Sequence, residues 1–186
     1  MKLGVPGFIP GRLAEALDAR DLSQVSLAQL MGKSSSASIS RWLRGEQAPE
    51  PAALTELSRA LNLPTAFFLA PQAQHGDFPF FYRSMAAATK AARRKAKARL
   101  RWGQDISLAL QNAVDIPRCN VPDLVGERDF RTISDDLIED IALRCRHAWG
   151  LGDGPISDLH QLLENNGVVI IHDEIEAATM DGVSSW

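Results

Sequence analysis

The sequence predicts a mainly α-helical protein: a five-helix N-terminal module, a long linking helix, and a small, truncated α/β region at the C-terminal end. Three observations lead there. Apolar residues recur at three- and four-residue spacing through most of the chain. Only one short run, Val168–Ile171, has the composition of a strand. Charge, finally, divides by region: residues 1–71 carry seven Lys/Arg against six Asp/Glu, residues 72–115 eight against three, and residues 116–186 five against fourteen. Those boundaries give the expected division into module, linker with basic helix, and acidic C-terminal region.

Within the first segment, Arg12–Arg20 places Leu13, Ala16 and Leu17 on one helical face. Ser23 suits the N-cap of a second helix with Leu27, Leu30 and Met31 inward, ended by Gly32. Ser34–Ser36 offers caps for a third, with Ile39, Trp42 and Leu43 inward and Gly45 as its stop. Pro49 and Pro51 open a fourth, Ala52–Leu61, and Pro64 starts a last turn ending in Phe67, Phe68 and Leu69. Residues 72–82 read as a linker (Gln72, Gln74, His75, Gly76, Asp77) running into the aromatic cluster Phe78, Phe80, Phe81 and Tyr82. A helix from Ser84 to Val114 is then expected, with a stripe of Met85, Ala88, Ala92, Ala96, Leu100, Gly103, Ile106, Leu110 and Val114. Beyond Pro117 and Pro122, Ser134 caps a helix with Leu137, Ile141, Cys145 and Trp149 inward, and a shorter helix spans Ser157–Glu164. Val168–Ile171 is left as a strand in need of partners.

Composition bounds the function. With 186 residues, 45% of them hydrophobic, and a net charge of −3, the chain is too apolar and too nearly neutral to stay disordered. No apolar run reaches the roughly 18 residues a membrane span needs. The N-terminal MKLGVPGFIPGR lacks the apolar core of a signal peptide. Two cysteines, Cys119 and Cys145, are too few for a disulfide scaffold or a Cys-based zinc site. A cytoplasmic protein is expected.

The most informative pattern lies at residues 22–45. Leu22-Ser23-Gln24 and Leu27-Ala28-Gln29-Leu30-Met31-Gly32 precede Ile39-Ser40-Arg41-Trp42-Leu43-Arg44-Gly45. Two short helices crossing at a small residue, Ala28, can present the second to a DNA major groove. Residues 10–70 resemble the Cro/repressor-type (XRE) helix-turn-helix family, and Pro49, Leu54, Leu57, Ala60–Pro64 and Phe67-Phe68-Leu69 match its later helices. The resemblance implies contact positions. Gln24 would bond a phosphate and brace the recognition helix. Ser35, Ser36 and Ser38 would meet phosphates at that helix's start, and Lys33 and Arg44 would touch the backbone. Ala37 and Arg41 would face the groove, Arg41 reading guanine. Use of the bundle for protein contacts alone, as in an antitoxin-like module, is the alternative.

Seven cations lie on the central helix: Lys90, Arg93, Arg94, Lys95, Lys97, Arg99 and Arg101. They fit a solvated face, a second nucleic-acid surface, or pairing with the acidic C-terminal region. FFYRSM at 80–85, Ala148-Trp149-Gly150-Leu151-Gly152, Gly154-Pro155-Ile156, Leu162-Leu163-Glu164, Gly167-Val168-Val169-Ile170 and Met180-Asp181-Gly182-Val183-Ser184 resemble the start of an ImmA/IrrE-type metallopeptidase region. That family's chemistry needs an H-E-x-x-H helix, in which two histidines hold zinc and the glutamate activates its water. None of His75, His147, His160 and His172 belongs to one; His160 and Glu164 read as a surface pair. The motif would lie beyond Trp186, so a zinc endopeptidase of which this is the N-terminal portion is the enzymatic alternative. Gly32-Lys33-Ser34 lacks the earlier glycine of a phosphate-binding loop, where Leu27 stands. The expectation is a non-enzymatic regulator without cofactor or metal. It would bind double-stranded DNA as a homodimer, with the C-terminal region for dimerisation or sensing.

Overall fold

The computed structural model describes residues 4–73, 76, 78–84, 88–126, 129–174 and 180–186. Gln74, His75, Asp77 and Met85, which figured in the linker and the helical stripe, lie outside the described residues. Two units form: Met1–Ile106 together with Asp173–Trp186, and Ser107–His172. Seven α-helices and one two-stranded sheet are present among the described residues, so the protein is mainly α, as the sequence predicts.

Helix α1 (Pro10–Arg20) starts on a proline, whose missing N–H costs nothing at a helix start, and stops at Asp21 in the left-handed region. Helix α2 (Gln24–Leu30) is capped by Ser23, whose hydroxyl accepts the Ser26 N–H at 3.0 Å. Helices α3 (Ala37–Leu43) and α4 (Pro51–Leu61) follow, and a 3-10 turn, Thr65–Phe68, closes the bundle. Leu13, Ala16 and Leu17 of α1 meet Leu27, Ala28, Ile39, Trp42, Leu54, Leu57, Leu61 and Phe68 in one buried cluster. At about 1.5–3 kcal/mol per large apolar side chain removed from water, this cluster is what holds the bundle together.

Strand β1 (Phe80–Ser84) pairs antiparallel with β2 (Met180–Ser185), Phe80 opposite Ser185 and Tyr82 opposite Val183, with an irregularity between Arg83 and Ser84. Three expectations are corrected here. Residues 80–84 are strand rather than linker and helix start, because the aromatic run Phe80-Phe81-Tyr82, of strand-type composition, finds a partner about a hundred residues away. Helix α5 therefore spans Lys90–Leu110, 21 residues instead of the expected 31, or roughly 31 Å at 1.5 Å per residue. Val168–Ile171, the expected strand, is not one, and no ladder pairs with it among the described residues.

Within the same unit α5 lies on α1. Arg94 Nε is 3.2 Å from Asp18, Arg99 Nε donates to the Ala19 carbonyl at 2.9 Å, and Trp102 donates to Glu15 while meeting Phe67 edge-on at 5.6 Å. Arg93 stands over the Tyr82 ring at 5.3 Å, and Lys97 over Phe80 at 4.9 Å. Arg99 also bonds Asp173. The basic helix is thus partly engaged by ring faces and carboxylates.

In the second unit α6 (Asp135–Ala148) is capped by Ser134, and α7 (Leu159–Asn165) by Asp158 rather than starting at Ser157. Trp149 donates to the Asn120 carbonyl at 2.8 Å. Leu137, Ile141, Cys145 and Trp149 share the expected face of α6 but are only half-buried.

Candidate nucleic-acid interface

Two turns of the same type shape this surface. After α2 the Lys33 N–H bonds the Ala28 carbonyl (2.8 Å) and the Gly32 N–H bonds Gln29 (2.9 Å). After α3 the Glu46 N–H bonds the Arg41 carbonyl (3.0 Å) and the Gly45 N–H bonds Trp42 (3.1 Å). Each is a Schellman closure, which needs a residue in the left-handed region just past the helix; Gly32 (φ +66°) and Gly45 (φ +70°) supply it. Ala28, nearly fully buried, lets α2 and α3 approach, while Ile39 and Trp42 fix the inner face of α3.

With that inner face fixed, the opposite face of α3 is set. Ala37, Arg41 and Arg44 are exposed, as are Gln24 and Ser35; Lys33, Ser36 and Ser38 are half-buried. Ser36 occupies the N-cap of α3 without a side-chain cap bond, and it is Ser35 whose hydroxyl accepts the Ala37 N–H, at 3.2 Å. Gln24 is the first residue of α2. The eight residues named from the sequence therefore lie along the two helices and the turn between them.

Their electrostatics differ sharply. The Arg41 side chain makes no hydrogen bond or ion pair among the described residues. Arg44 is clasped: Nε and one terminal nitrogen donate to the two Glu46 carboxylate oxygens at 2.5 and 3.0 Å, and the other donates to Ser40 Oγ at 2.6 Å. These bonds hold the Glu46 carboxyl below its usual range, with a smaller contribution from the Arg41 charge, and raise the Arg44 guanidinium above its own. Lys33 Nζ lies 3.2 Å from Glu56 of α4. Neither glutamate figured in the sequence reading. Glu46 was recoverable from the Gly45 stop, which folds the next residue back over the helix; Glu56, 23 residues from its partner, was not.

Elsewhere, His160 and His172 bring their Nε2 atoms within 2.8 Å in the second unit, a pairing the sequence reading assigned instead to His160 and Glu164. No group of three His, Cys, Asp or Glu able to hold a metal ion occurs among the described residues. No helix among them is long and apolar enough to cross a membrane.

The basic helix changes the charge balance around α3. The unit that contains α3 carries fifteen Lys/Arg against twelve Asp/Glu, whereas Ser107–His172 carries five against eleven. Comparison with curated proteins and with solved structures gives no match. Comparison with family models gives one, covering α1 through the 3-10 turn. Residues 13–68 match the helix-turn-helix family, which supports a DNA-binding regulator.

Proposed function

We propose that the protein is a sequence-specific transcriptional regulator whose helix α3 enters the major groove of double-stranded DNA. The observation that carries this reading is the outward face of α3: the hydrogen bonds its side chains make among the described residues all stay within residues 40–46. Among the described residues no side-chain hydrogen bond ties that face to another part of its unit. Arg41, exposed and unengaged, reads guanine; Ala37 lies against a base edge; Gln24, Ser35, Ser36 and Ser38 meet phosphates on either side. Lys33 reaches phosphate by exchanging Glu56 for it, and Arg44 stands beside the backbone paired with Glu46.

The active species is a homodimer on a pseudo-palindromic operator, since a single short helix offers few base contacts and two-fold symmetry doubles them. The second unit supplies the dimerisation or sensing surface; the exposed Leu110, Ile138 and Leu143 side chains support that assignment. Residues 78–186 remain similar to the start of an ImmA/IrrE-type region in the motifs quoted above. Selection of bound sequences from a random duplex pool tests the proposal. Enrichment of a pseudo-palindrome is expected, and failure to enrich any sequence overturns it. Sedimentation at tens of micromolar tests the dimer, which a purely monomeric boundary would exclude.

A further inference from the structure

We infer that Glu46 is a restraining residue of the DNA-binding surface: it withholds Arg44 from phosphate and so leaves sequence discrimination to Arg41. This rests on the reading of α3 as the recognition helix and goes beyond it, because Glu46 is a carboxylate where a phosphate-facing surface favours cations.

The geometry is fixed by backbone rather than by chance encounter of two mobile side chains. The Schellman closure at Gly45 turns residue 46 back over the last turn of α3, its N–H bonded to the Arg41 carbonyl. From there the carboxylate takes Arg44 in the two-pronged geometry that guanidinium and carboxylate share. Ser40 Oγ holds the remaining terminal nitrogen, so all three guanidinium nitrogens are engaged. Arg41 is one turn earlier on the same face and exposed, its side chain without a hydrogen bond among the described residues. The two arginines thus differ in availability.

A phosphate oxygen competes with Glu46 for the same donors. Both side chains are about half exposed, at 55% and 51% of their surface, so the pair is screened and its hold is modest. A modest hold is enough to matter. Non-specific affinity is built from phosphate contacts, each of which releases counterions, whereas discrimination comes from base edges. Paired with Arg44, Glu46 removes one net positive charge from the surface facing the duplex and so lowers affinity for every sequence, while no hydrogen bond among the described residues holds the Arg41 side chain.

A double-mutant cycle tests this. Wild type, Arg44→Ala, Glu46→Gln and the double variant are titrated at two salt concentrations. The probes are a fluorescent duplex obtained from the pool selection and an unselected duplex of equal length and composition. In the wild-type background Arg44→Ala changes affinity less than about twofold, the scale of a screened surface contact. Glu46→Gln tightens both duplexes by about three- to tenfold and steepens the salt dependence by about one unit per recognition helix. Arg44→Ala in the Glu46→Gln background abolishes that gain. If the two substitutions add with no coupling, Glu46 acts only as a repelling charge and the inference is wrong, although DNA binding stands. If Arg44→Ala alone costs tenfold, Arg44 is already committed to phosphate and the inference is equally wrong. If every variant, with an unchanged melting temperature, fails to bind either duplex, the reading of α3 falls and this inference with it.

Discussion

Residues 10–68 and residues 107–172 are of similar length, obey the same local rules, and differ in what those rules achieve. In the first, Ser23 caps α2, Gly32 and Gly45 stop α2 and α3, and the inner faces close into a core in which Leu13, Leu27, Ile39, Leu57 and Phe68 have no exposed surface. In the second, Ser134 and Asp158 cap α6 and α7, and Gly150 follows α6. Yet neither helix has a fully buried residue, and Ile138, Leu143, Leu159 and Val169 are half exposed. Capping and periodicity form helices in both segments, but a core needs facing elements as well. With about 60 residues to share, only the first segment has four helices and a turn converging on one point.

The largest expected effects separate the two segments directly. Ile39→Ala or Leu57→Ala removes a fully buried side chain and lowers stability by about 2–5 kcal/mol, whereas Leu143→Ala, half exposed, costs under about 1 kcal/mol. Thermal melts of the three variants decide this, and equal losses would mean that the second unit has a core of its own under solution conditions. Next in size, Arg41→Ala leaves the melting temperature unchanged but costs about 1–3 kcal/mol of discrimination at one base pair. Competition with single-base operator variants reads it out. Ser23→Ala and Ser134→Ala each delete a cap worth about 1 kcal/mol. The first lowers the main melting transition; the second speeds amide exchange within 135–148 and leaves that transition in place.

Smallest is the pH effect at Glu46. Its carboxyl is held below the usual range in the folded chain, so the Arg44 pair contributes at and above the ordinary carboxylate pKa near 4–5 and is lost as acid takes pH below it. A melting profile from pH 7 to 3, compared with that of Glu46→Gln, should diverge only at the acidic end.

Most of the first segment was legible because its signals are local. Ser23 and Gly32 are eight residues from each other's helix end at most, and Leu54, Leu57 and Leu61 announce their face by spacing alone. The contact positions came from the resemblance to the helix-turn-helix family, and burial of Ile39 and Trp42 leaves one of them, Arg41, exposed. What escaped was non-local. Phe80–Ser84 reads as linker until Met180–Ser185 is laid beside it, and Val168–Ile171 has strand composition without a ladder to join. Lys33 is paired with Glu56, 3.2 Å away, a partner that no local signal gives. The cations of 90–101 fitted a solvated face, a nucleic-acid surface or pairing with the acidic region, and two of them instead stand over rings, in the Arg93–Tyr82 and Lys97–Phe80 contacts.

The pairing of β1 with β2 returns Asp173–Trp186 to the unit where the chain began, so Ser107–His172 is spliced into that unit by two connections instead of hanging from one. A single backbone cut anywhere in the inserted stretch would leave two polypeptides still zipped together, parting on a denaturing gel but not on a native column.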